Sequence, residues 1–356
     1  MTKRVTIKDI AQKAGVTIGT VHCALYGKPG VSVATRQHII NVAAEVGYKP
    51  NTAAVSLKRK TLRVAASFPG SADNSFYYYK FIWDGISDWF KTQGDLNIEL
   101  VTLPFTSGTG NHAEVLNMLL KNGNIGGLLT TAETDAMGID AIRRLSHAGT
   151  PVMLVTTDAP ATGRICCVQP NYEITGRIMA ELVTNQIPPC ADILLCAGNM
   201  DTPSHYLVAN GFCSYIEEHE KQNHILKIHP TGLDESAMCT LKTYLCTNRA
   251  LGACVAVNAQ GSLLLGRVLE QLLTERSIVA VGSDMFSQNT DFLLQGIFTN
   301  LINKRPYTQG YTAAKHMTEY LLSGISPPNS TVYIPGEVVF KSSLVMYSDR
   351  FTGQML

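Results

Sequence analysis

The stretch Thr6-Ile7-Lys8-Asp9-Ile10-Ala11-Gln12-Lys13-Ala14-Gly15-Val16-Thr17 predicts a short helix, a turn and the start of a second helix. Thr6 can cap the first helix, with Asp9 as its capping-box partner. Apolar residues at positions 7, 10, 11 and 14 lie on one helical face. Gly15 follows them, and a glycine can end a helix in the left-handed conformation without steric cost. Thr17 can then cap a second helix that runs to about Leu25.

A third helix is predicted over residues 33–46, ending at Gly47. It should bury an apolar set made of Ile39, Ile40, Val42, Ala43 and Val46. In the second helix, Val21 and Leu25 should face inward. Three short helices that each bury one face can enclose a small core. Residues 1–49 are therefore predicted to form an all-α head, a helix-turn-helix with a supporting helix.

Charge separates this head from the rest of the chain. Residues 1–60 contain ten lysines and arginines against Asp9 and Glu45, a net charge of +8, whereas the whole chain carries +1 and the remainder therefore −7. A basic head on an acidic body is typical of a module that neutralises DNA phosphates. The alternative is a solvated basic face on an ordinary helical domain.

Residues 5–57 resemble the head of the LacI/GalR (lactose-repressor) family of bacterial transcription regulators. The matching residues are Thr6-Ile7-Lys8-Asp9-Ile10-Ala11, Ala14-Gly15-Val16-Thr17, Thr20-Val21, Gly30-Val31-Ser32, Thr35-Arg36, Gly47-Tyr48-Lys49-Pro50-Asn51 and Leu57. The resemblance implies that the second helix enters the major groove and that residues 50–60 form a hinge helix in the minor groove. Leu57 would then wedge into the central base step of a near-palindromic operator and bend the duplex.

The resemblance also implies which residues contact DNA. They are Thr6, Thr17, Ile18, Gly19, Thr20, His22, Cys23, Lys28, Ser32, Thr35, Arg36, Asn51, Ala54, Leu57 and Lys58. For Thr17, Thr20, Ser32 and Thr35, a helix-capping role is an equal alternative.

The chain departs from the family at His22 and Cys23, where an arginine is usual. An arginine there can grip guanine with two hydrogen bonds, which give about 1–3 kcal/mol of discrimination, and cysteine cannot. Three interpretations stay open: the operator lacks that guanine, recognition relies on the hinge and on DNA shape, or the head binds DNA poorly.

Composition indicates a globular remainder. The chain is 45% apolar and 16% charged, and no run reaches 18 apolar residues, so no membrane span is expected. The N-terminus lacks the apolar segment of a signal peptide, which predicts a cytoplasmic protein. The nine cysteines form no Cys-x-x-Cys pair and are expected to be reduced and mostly buried. No cofactor and no metal site are expected.

The body alternates short apolar strands with amphipathic helices. The predicted strands are 62–68, 97–103, 126–131, 151–156, 166–168, 192–197, 225–229, 253–258 and 278–281, with helices such as 112–121, 175–184, 205–219 and 261–274 between them. This alternation predicts parallel sheets covered on both faces. Two sets of about five strands favour an α/β body of two Rossmann-like lobes, with a ligand cleft between them.

Residues 61–345 resemble the ligand domain of the same family, which is similar to periplasmic sugar-binding proteins. The resemblance implies an N-terminal lobe of about 61–160 and 300–325 and a C-terminal lobe of about 161–298 and 330–345. The chain would cross between lobes near residues 157–166, 296–303 and 323–333, and residues 346–356 would form a tail.

Two observations locate a ligand. Phe76, Tyr78 and Tyr79 lie in an aromatic run after the first strand, which we interpret as a loop that stacks on a ligand; core packing is the alternative. Asp158, Asn258 and Asp284 each follow a predicted strand, and helix capping is the alternative for Asp284. The resemblance adds Asn171, His205, Lys304 and Arg305, while Val208 and Pro170 replace a usual arginine and aspartate.

These patterns predict a sequence-specific transcription regulator that acts as a repressor, and not an enzyme. Its partners would be a near-palindromic DNA operator, a small polar effector such as a sugar or related metabolite, and a second copy of the chain in a homodimer; no membrane is involved. The effector would switch operator affinity through the hinge helices. The alternative is a ligand-sensing protein with a degenerate, weakly specific DNA-binding head.

Overall fold

The computed structural model describes residues 5–25, 30–46, 48, 61–94, 97–230, 233–272 and 278–347. The head contains α1 (Ile7–Ala14), α2 (Ile18–Leu25) and α3 (Val33–Glu45). Its buried residues come from all three helices: Ile10, Ala11, Val21, Ala24, Ile39, Val42 and Ala43. The predicted three-helix head is therefore confirmed.

The helix ends follow the predicted chemistry. The backbone amide of Thr6 donates to the Asp9 carboxylate at 2.7 Å, and Gly15 ends α1 at φ 66°. The prediction for Ile40 was wrong, because its side chain is 41% exposed. Ile39, Val42 and Ala43 share one helical face, and Ile40 lies about 100° around the helix from Ile39.

The N-terminal lobe is built on a parallel six-stranded sheet with the order β11-β5-β4-β3-β1-β2. The strands are β1 (Leu62–Ser67), β2 (Ile98–Thr102), β3 (Gly127–Thr130), β4 (Val152–Val155), β5 (Cys166–Pro170) and β11 (Thr331–Ile334). The helices are α4 (Phe76–Thr92), α5 (Asn111–Asn122), α6 (Ala136–His147) and α12 (Pro306–Ser323). Side chains alternate along β1: Val64 and Ala66 pack with α4 and α12, and Ala65 with α5 and α6.

The C-terminal lobe repeats this plan with the order β12-β10-β9-β8-β6-β7, in which only the β10–β12 pair is antiparallel. The strands are β6 (Asp192–Cys196), β7 (Ile225–Ile228), β8 (Leu251–Ala256), β9 (Val279–Ser283), β10 (Asn300–Asn303) and β12 (Glu337–Val339). The helices are α7 (Tyr172–Thr184), α8 (Pro203–Glu218), α9 (Glu235–Thr247), α10 (Ala259–Leu272) and α11 (Ser287–Gln295). The predicted two-lobed α/β body is confirmed.

The lobe boundaries differ from the predicted ones. Strands β5 and β11 pair with each other in the N-terminal sheet, although residues 161–298 and 330–345 were assigned to the C-terminal lobe. Strand β10 pairs with β9 in the C-terminal sheet, although 300–325 was assigned to the N-terminal lobe. A strand's sheet depends on hydrogen bonds to distant segments, which local pattern does not encode. Each crossing therefore comes a few residues later in the chain, after β5, β10 and β11.

Glycines let paired helices approach closely in both lobes. A Cβ on Gly85 would collide with the Tyr307 carbonyl oxygen, and one on Gly310 with the Ile82 carbonyl oxygen, so α4 and α12 touch backbone to backbone. Gly176 and Gly211 do the same for α7 and α8.

Five cysteines are buried, as expected: Cys166, Cys167, Cys196, Cys213 and Cys254. Cys190, Cys239 and Cys246 are exposed. Within the described ranges, no helix has the length and apolar character that a membrane crossing needs.

Candidate functional site

A cleft of about 460 Å³ lies where the strands of both lobes end, the position at which parallel sheets bind ligands. Six residues predicted to bind ligand line it: Tyr78, Tyr79, His205, Asn258, Asp284 and Lys304. Sequence reasoning missed others that also line it, including Asp73, Tyr77, Glu133, Asp135, Asn199 and Ser204.

The centre of the cleft is an ion pair between Asp284 and Lys304. Asp284 follows β9 and has φ 71°, a left-handed conformation that aspartate tolerates better than most side chains. The Lys304 ammonium donates to Asp284 Oδ2 at 3.0 Å, to Ser283 Oγ at 2.6 Å and to the Val257 carbonyl at 3.1 Å. Asp284 Oδ1 is buried without a hydrogen-bond partner among the described residues.

Gln309 connects this ion pair to the aromatic side of the cleft. Its amide nitrogen donates to the Lys304 carbonyl at 2.7 Å and to the Tyr78 hydroxyl at 3.3 Å. Because Gln309 lies in the first turn of α12 in the N-terminal lobe and Lys304 directly follows β10 of the C-terminal lobe, the contact joins the two lobes at a crossing.

The aromatic run belongs to the first turns of α4 and not to a loop, so the predicted loop was wrong. Helical spacing buries Tyr79 with Ile82 and Ile86 in the core, which explains its 1% exposure. The Tyr79 hydroxyl still reaches the cleft and donates to Glu133 Oε2 at 2.7 Å. Burial raises the pKa of Glu133, partly offset by this hydrogen bond.

Asp73 holds the loop that precedes α4. Its Oδ1 accepts from the Ser75 amide at 2.8 Å and the Ser75 hydroxyl at 2.6 Å, and its Oδ2 accepts from the Ser107 amide at 2.6 Å. Burial raises the pKa of Asp73, but these hydrogen bonds outweigh burial and lower it overall. Asp73 is therefore ionised and joins two loops of the N-terminal lobe.

His205 and Asn258 form the opposite wall. The Asn258 amide nitrogen lies 3.0 Å from His205 Nε2, and the Asn258 oxygen accepts from the Gly261 amide at 2.6 Å at the start of α10. Burial, followed by the charge of Lys304, lowers the pKa of His205 to about 4. The imidazole is therefore neutral near pH 7.

Four residues predicted to bind ligand lie outside the cleft lining. Asp158 is engaged by Arg164 in a two-bond ion pair at 2.7 and 2.6 Å, and Asn171 caps α7 by accepting from the Ile174 amide at 3.1 Å. Arg305 pairs with Glu337 at 3.3 Å on the wall of a separate cavity. Phe76 does not line the cleft; its neighbour Tyr77 does.

The head presents part of α2 to solvent. Ile18 is 48% exposed, and Thr17, Gly19, His22 and Cys23 are exposed or half-buried while Val21 and Ala24 face the core. Thr17 Oγ1 accepts from the Thr20 amide at 3.1 Å, and Ser32 Oγ accepts from the Thr35 amide at 3.1 Å, so both serve as caps.

Arg36 has a structural partner within the head. Its guanidinium donates to the Cys23 and Ala24 carbonyls at 3.1 and 2.8 Å and thereby closes the end of α2. The remaining predicted DNA contacts, Lys28, Asn51, Ala54, Leu57 and Lys58, lie outside the described residues, as does the predicted hinge.

A three-helix head and a two-lobed body with a cleft between its sheets define a body of the periplasmic-binding-protein fold joined to a helix-turn-helix head. Residues 67–324 match the family model of the periplasmic binding protein domain, and residues 6–51 match that of bacterial regulatory proteins, lacI family. The match over residues 67–324 covers most of the chain, which therefore belongs to the periplasmic binding protein domain family, and its head is a domain of the lacI family of bacterial regulatory proteins.

Sequence similarity to the curated relatives extends over a fifth to a half of this chain. An HTH-type transcriptional regulator of Lachnoclostridium phytofermentans is 37% identical over 70 residues, which are 20% of this chain and 21% of that protein. The alignments with the curated relatives cover about a fifth to a half of their lengths.

Structural similarity extends over about four fifths of the chain. A LacI-type transcriptional regulator from Bacteroides fragilis superposes with a TM-score of 0.72 at 16% identity, over 81% of this chain and 100% of that chain. A transporter solute-binding protein from Burkholderia graminis, solved with D-arabinose, gives a TM-score of 0.71 at 16% identity, over 81% of this chain and 98% of that chain. At 16% sequence identity, the similarity to these two structures shows a shared fold alone.

Proposed function

We propose that this chain is a DNA-binding transcription regulator whose affinity for its operator is set by a small polar ligand bound between the lobes. The observation that carries the proposal is the joining of a helix-turn-helix head to a cleft lined by buried polar side chains, centred on Asp284 and Lys304. No catalytic role is assigned, and several curated relatives are named HTH-type transcriptional regulators.

The ligand acts by favouring one arrangement of the lobes. The chain crosses between the sheets after β5, β10 and β11, so closure on a ligand turns one lobe about three connections. In a homodimer, that rotation changes the spacing of two heads on successive half-sites. Coupling of this kind is typically about 1–3 kcal/mol and needs different ligand affinities in the two states.

The exposed part of α2 carries base recognition in this proposal. His22 can donate or accept one hydrogen bond at a base edge, and Ile18 offers an apolar contact such as a thymine methyl. Neither can replace the bidentate grip of an arginine on guanine, so we propose weak preference for guanine opposite this helix.

Selection of bound fragments from a random DNA library, with purified full-length protein at stated salt, tests the proposal. We expect enrichment of a two-fold symmetric site. His22→Ala should change the preferred bases at matching positions of both half-sites, whereas Cys190→Ala, an exposed body substitution, should leave the site unchanged. No enrichment, with or without cleft ligands, would overturn specific regulation and favour the ligand-sensing alternative.

A further inference from the structure

The cleft between the lobes carries a surplus of negative charge. Four carboxylates line it, those of Asp73, Glu133, Asp135 and Asp284, and among the described lining residues Lys304 alone carries an ammonium or guanidinium group. With each of these carboxyl groups counted as ionised, the formal charge of the lining is −3. His205 does not offset it, because burial lowers its pKa to about 4 and leaves the imidazole neutral.

Lys304 is not available to an anionic ligand. Its ammonium group already donates to Asp284, to the Ser283 hydroxyl and to the Val257 carbonyl, which are the three bonds that an ammonium can make. Arg305 follows it in sequence, but its guanidinium pairs with Glu337 on another cavity. A phosphate or carboxylate in the cleft would therefore meet four carboxylates without a free cation among the described lining residues.

One buried acceptor in the cleft lacks a partner. Asp284 is 2% exposed, and its Oδ1 has no hydrogen bond within the described part of the chain, although Oδ2 is held by Lys304 and the Ser283 hydroxyl. Because a buried carboxylate oxygen without a donor is destabilising, a ligand that brings an N–H or O–H donor to this atom gains binding energy.

Aromatic side chains line the same space. Tyr77, Tyr78 and Tyr172 line the cleft, and the face of a tyrosine ring attracts a positive charge. Burial raises the pKa of Tyr77, and the carboxyl groups of Asp284, Glu133 and Asp73, which line the same cleft, raise it further. A cation beside Tyr77 would be stabilised by the ring and by these carboxylates together.

We propose that the cleft binds a hexose-sized, hydroxylated ligand that carries an ammonium group, the chemistry of an amino sugar, with the ammonium group placed among Asp284, Glu133 and Tyr77. This inference rests on the proposed function, because it names the ligand class of the same cleft. A volume of about 460 Å³ suits one small molecule. Asn258 and Ser204 on the C-terminal wall offer donors and acceptors for its hydroxyl groups.

Matched sugar pairs test the inference on the full-length protein. D-glucosamine and D-glucose, D-galactosamine and D-galactose, and D-mannosamine and D-mannose would be compared by thermal shift and calorimetry at pH 7. We expect at least one amine to bind about tenfold or more tightly than its hydroxyl counterpart, the equivalent of about one direct charge contact. Its N-acetyl form, which lacks the charge, should lose that advantage.

Variants separate charge from shape. Glu133→Gln should lower the affinity for the amine and leave the affinity for the hydroxyl counterpart nearly unchanged, and the matched Glu114→Gln, exposed on α5, should change neither. Equal or tighter binding of the neutral sugars, or no binding of any of the three amines, would overturn the inference. Equal or tighter binding of a neutral sugar would do so while leaving the proposed function standing, whereas that function fails in the DNA selection.

Discussion

The ammonium group of Lys304 lies 3.0 Å from Asp284 Oδ2, and the two side chains are 7% and 3% exposed. Lys304 follows β10, and Asp284 follows the neighbouring strand β9, so the pair spans two adjacent strand ends. Burial of both charges is tolerated because each neutralises the other and because Ser283 and Val257 complete the ammonium's bonds.

Removal of Lys304 should destabilise the body strongly. Lys304→Met leaves the Asp284 carboxylate buried without its counter-charge, a change that typically costs about 3–5 kcal/mol. Urea unfolding followed by circular dichroism measures the loss, with Lys80→Met on the exposed face of α4 as control. The double variant Lys304→Met/Asp284→Asn should be more stable than Lys304→Met alone; if it is not, the uncompensated charge is not the cause.

Asp284→Asn should remove the ligand-induced thermal shift. Asparagine keeps the size of the side chain and tolerates φ 71°, so the substitution tests charge and not backbone strain. Thermal melting with and without a cleft ligand measures the effect, and Asp140→Asn on α6 serves as the control. Because the head has a core of its own, DNA binding by the ligand-free variant should persist. A ligand shift equal to that of the natural protein would remove Asp284 from the site.

His112 should make stability depend on pH in an acidic window. Its ring stacks on Phe105 at 3.9 Å and lies 3.0 Å from the hydroxyls of Thr130 and Thr134. Burial lowers its pKa from 6.5 to about 4. The unfolded chain therefore binds a proton that the folded chain does not, and stability present above pH 6.5 is lost as pH falls toward 4.

His112→Gln tests this effect, because glutamine does not titrate there. A pKa shift from 6.5 to about 4 corresponds to a change of about 3 kcal/mol in the free energy of unfolding across that pH range. Glu133 acts in the opposite sense, since burial raises its pKa and favours the folded state at lower pH. The measurement is therefore the difference in unfolding free energy between natural and variant protein across pH 4–7. Parallel curves would show that His112 is not the titrating group.

Gly85→Ala should loosen the packing of α4 on α12. An added Cβ would collide with the Tyr307 carbonyl oxygen, and the two backbones must separate to admit it. Overpacking of this kind costs about 1–3 kcal/mol. Gly94→Ala is the matched control, because an added Cβ there meets nothing within 4 Å. Equal melting temperatures for the two variants would contradict the close approach.

Sequence reasoning located the head and most of the body correctly because these parts use local signals. The capping pair Thr6 and Asp9, the terminating Gly15 and the apolar strands all lie within a few residues of what they specify. Asp284 and Asn258 were found for a related reason, since each follows a predicted strand and strand ends meet at one edge of a parallel sheet, whereas Lys304 was found through the family resemblance.

The errors share a cause in long-range contacts. Strands β10, β11 and β12 were not predicted, because they are short and carry polar residues such as Asn300 and Glu337 that only the sheet neighbours accommodate. Asp158 also follows a strand, but Arg164 occupies its carboxylate. Glu133 and Asp73 carried no motif, and they reach the cleft because β3 and the loop before α4 end beside it.

The sequence by itself determined a basic helix-turn-helix head, an α/β body and several polar residues at strand ends, because periodicity, caps and charge act over short distances. The tertiary structure decided which strands share a sheet, where the chain crosses between lobes and which carboxylates converge on one cleft. Strand pairing depends on hydrogen bonds between segments far apart in the chain. Burial in the folded protein then shifts the pKa of groups such as His205 and Glu133.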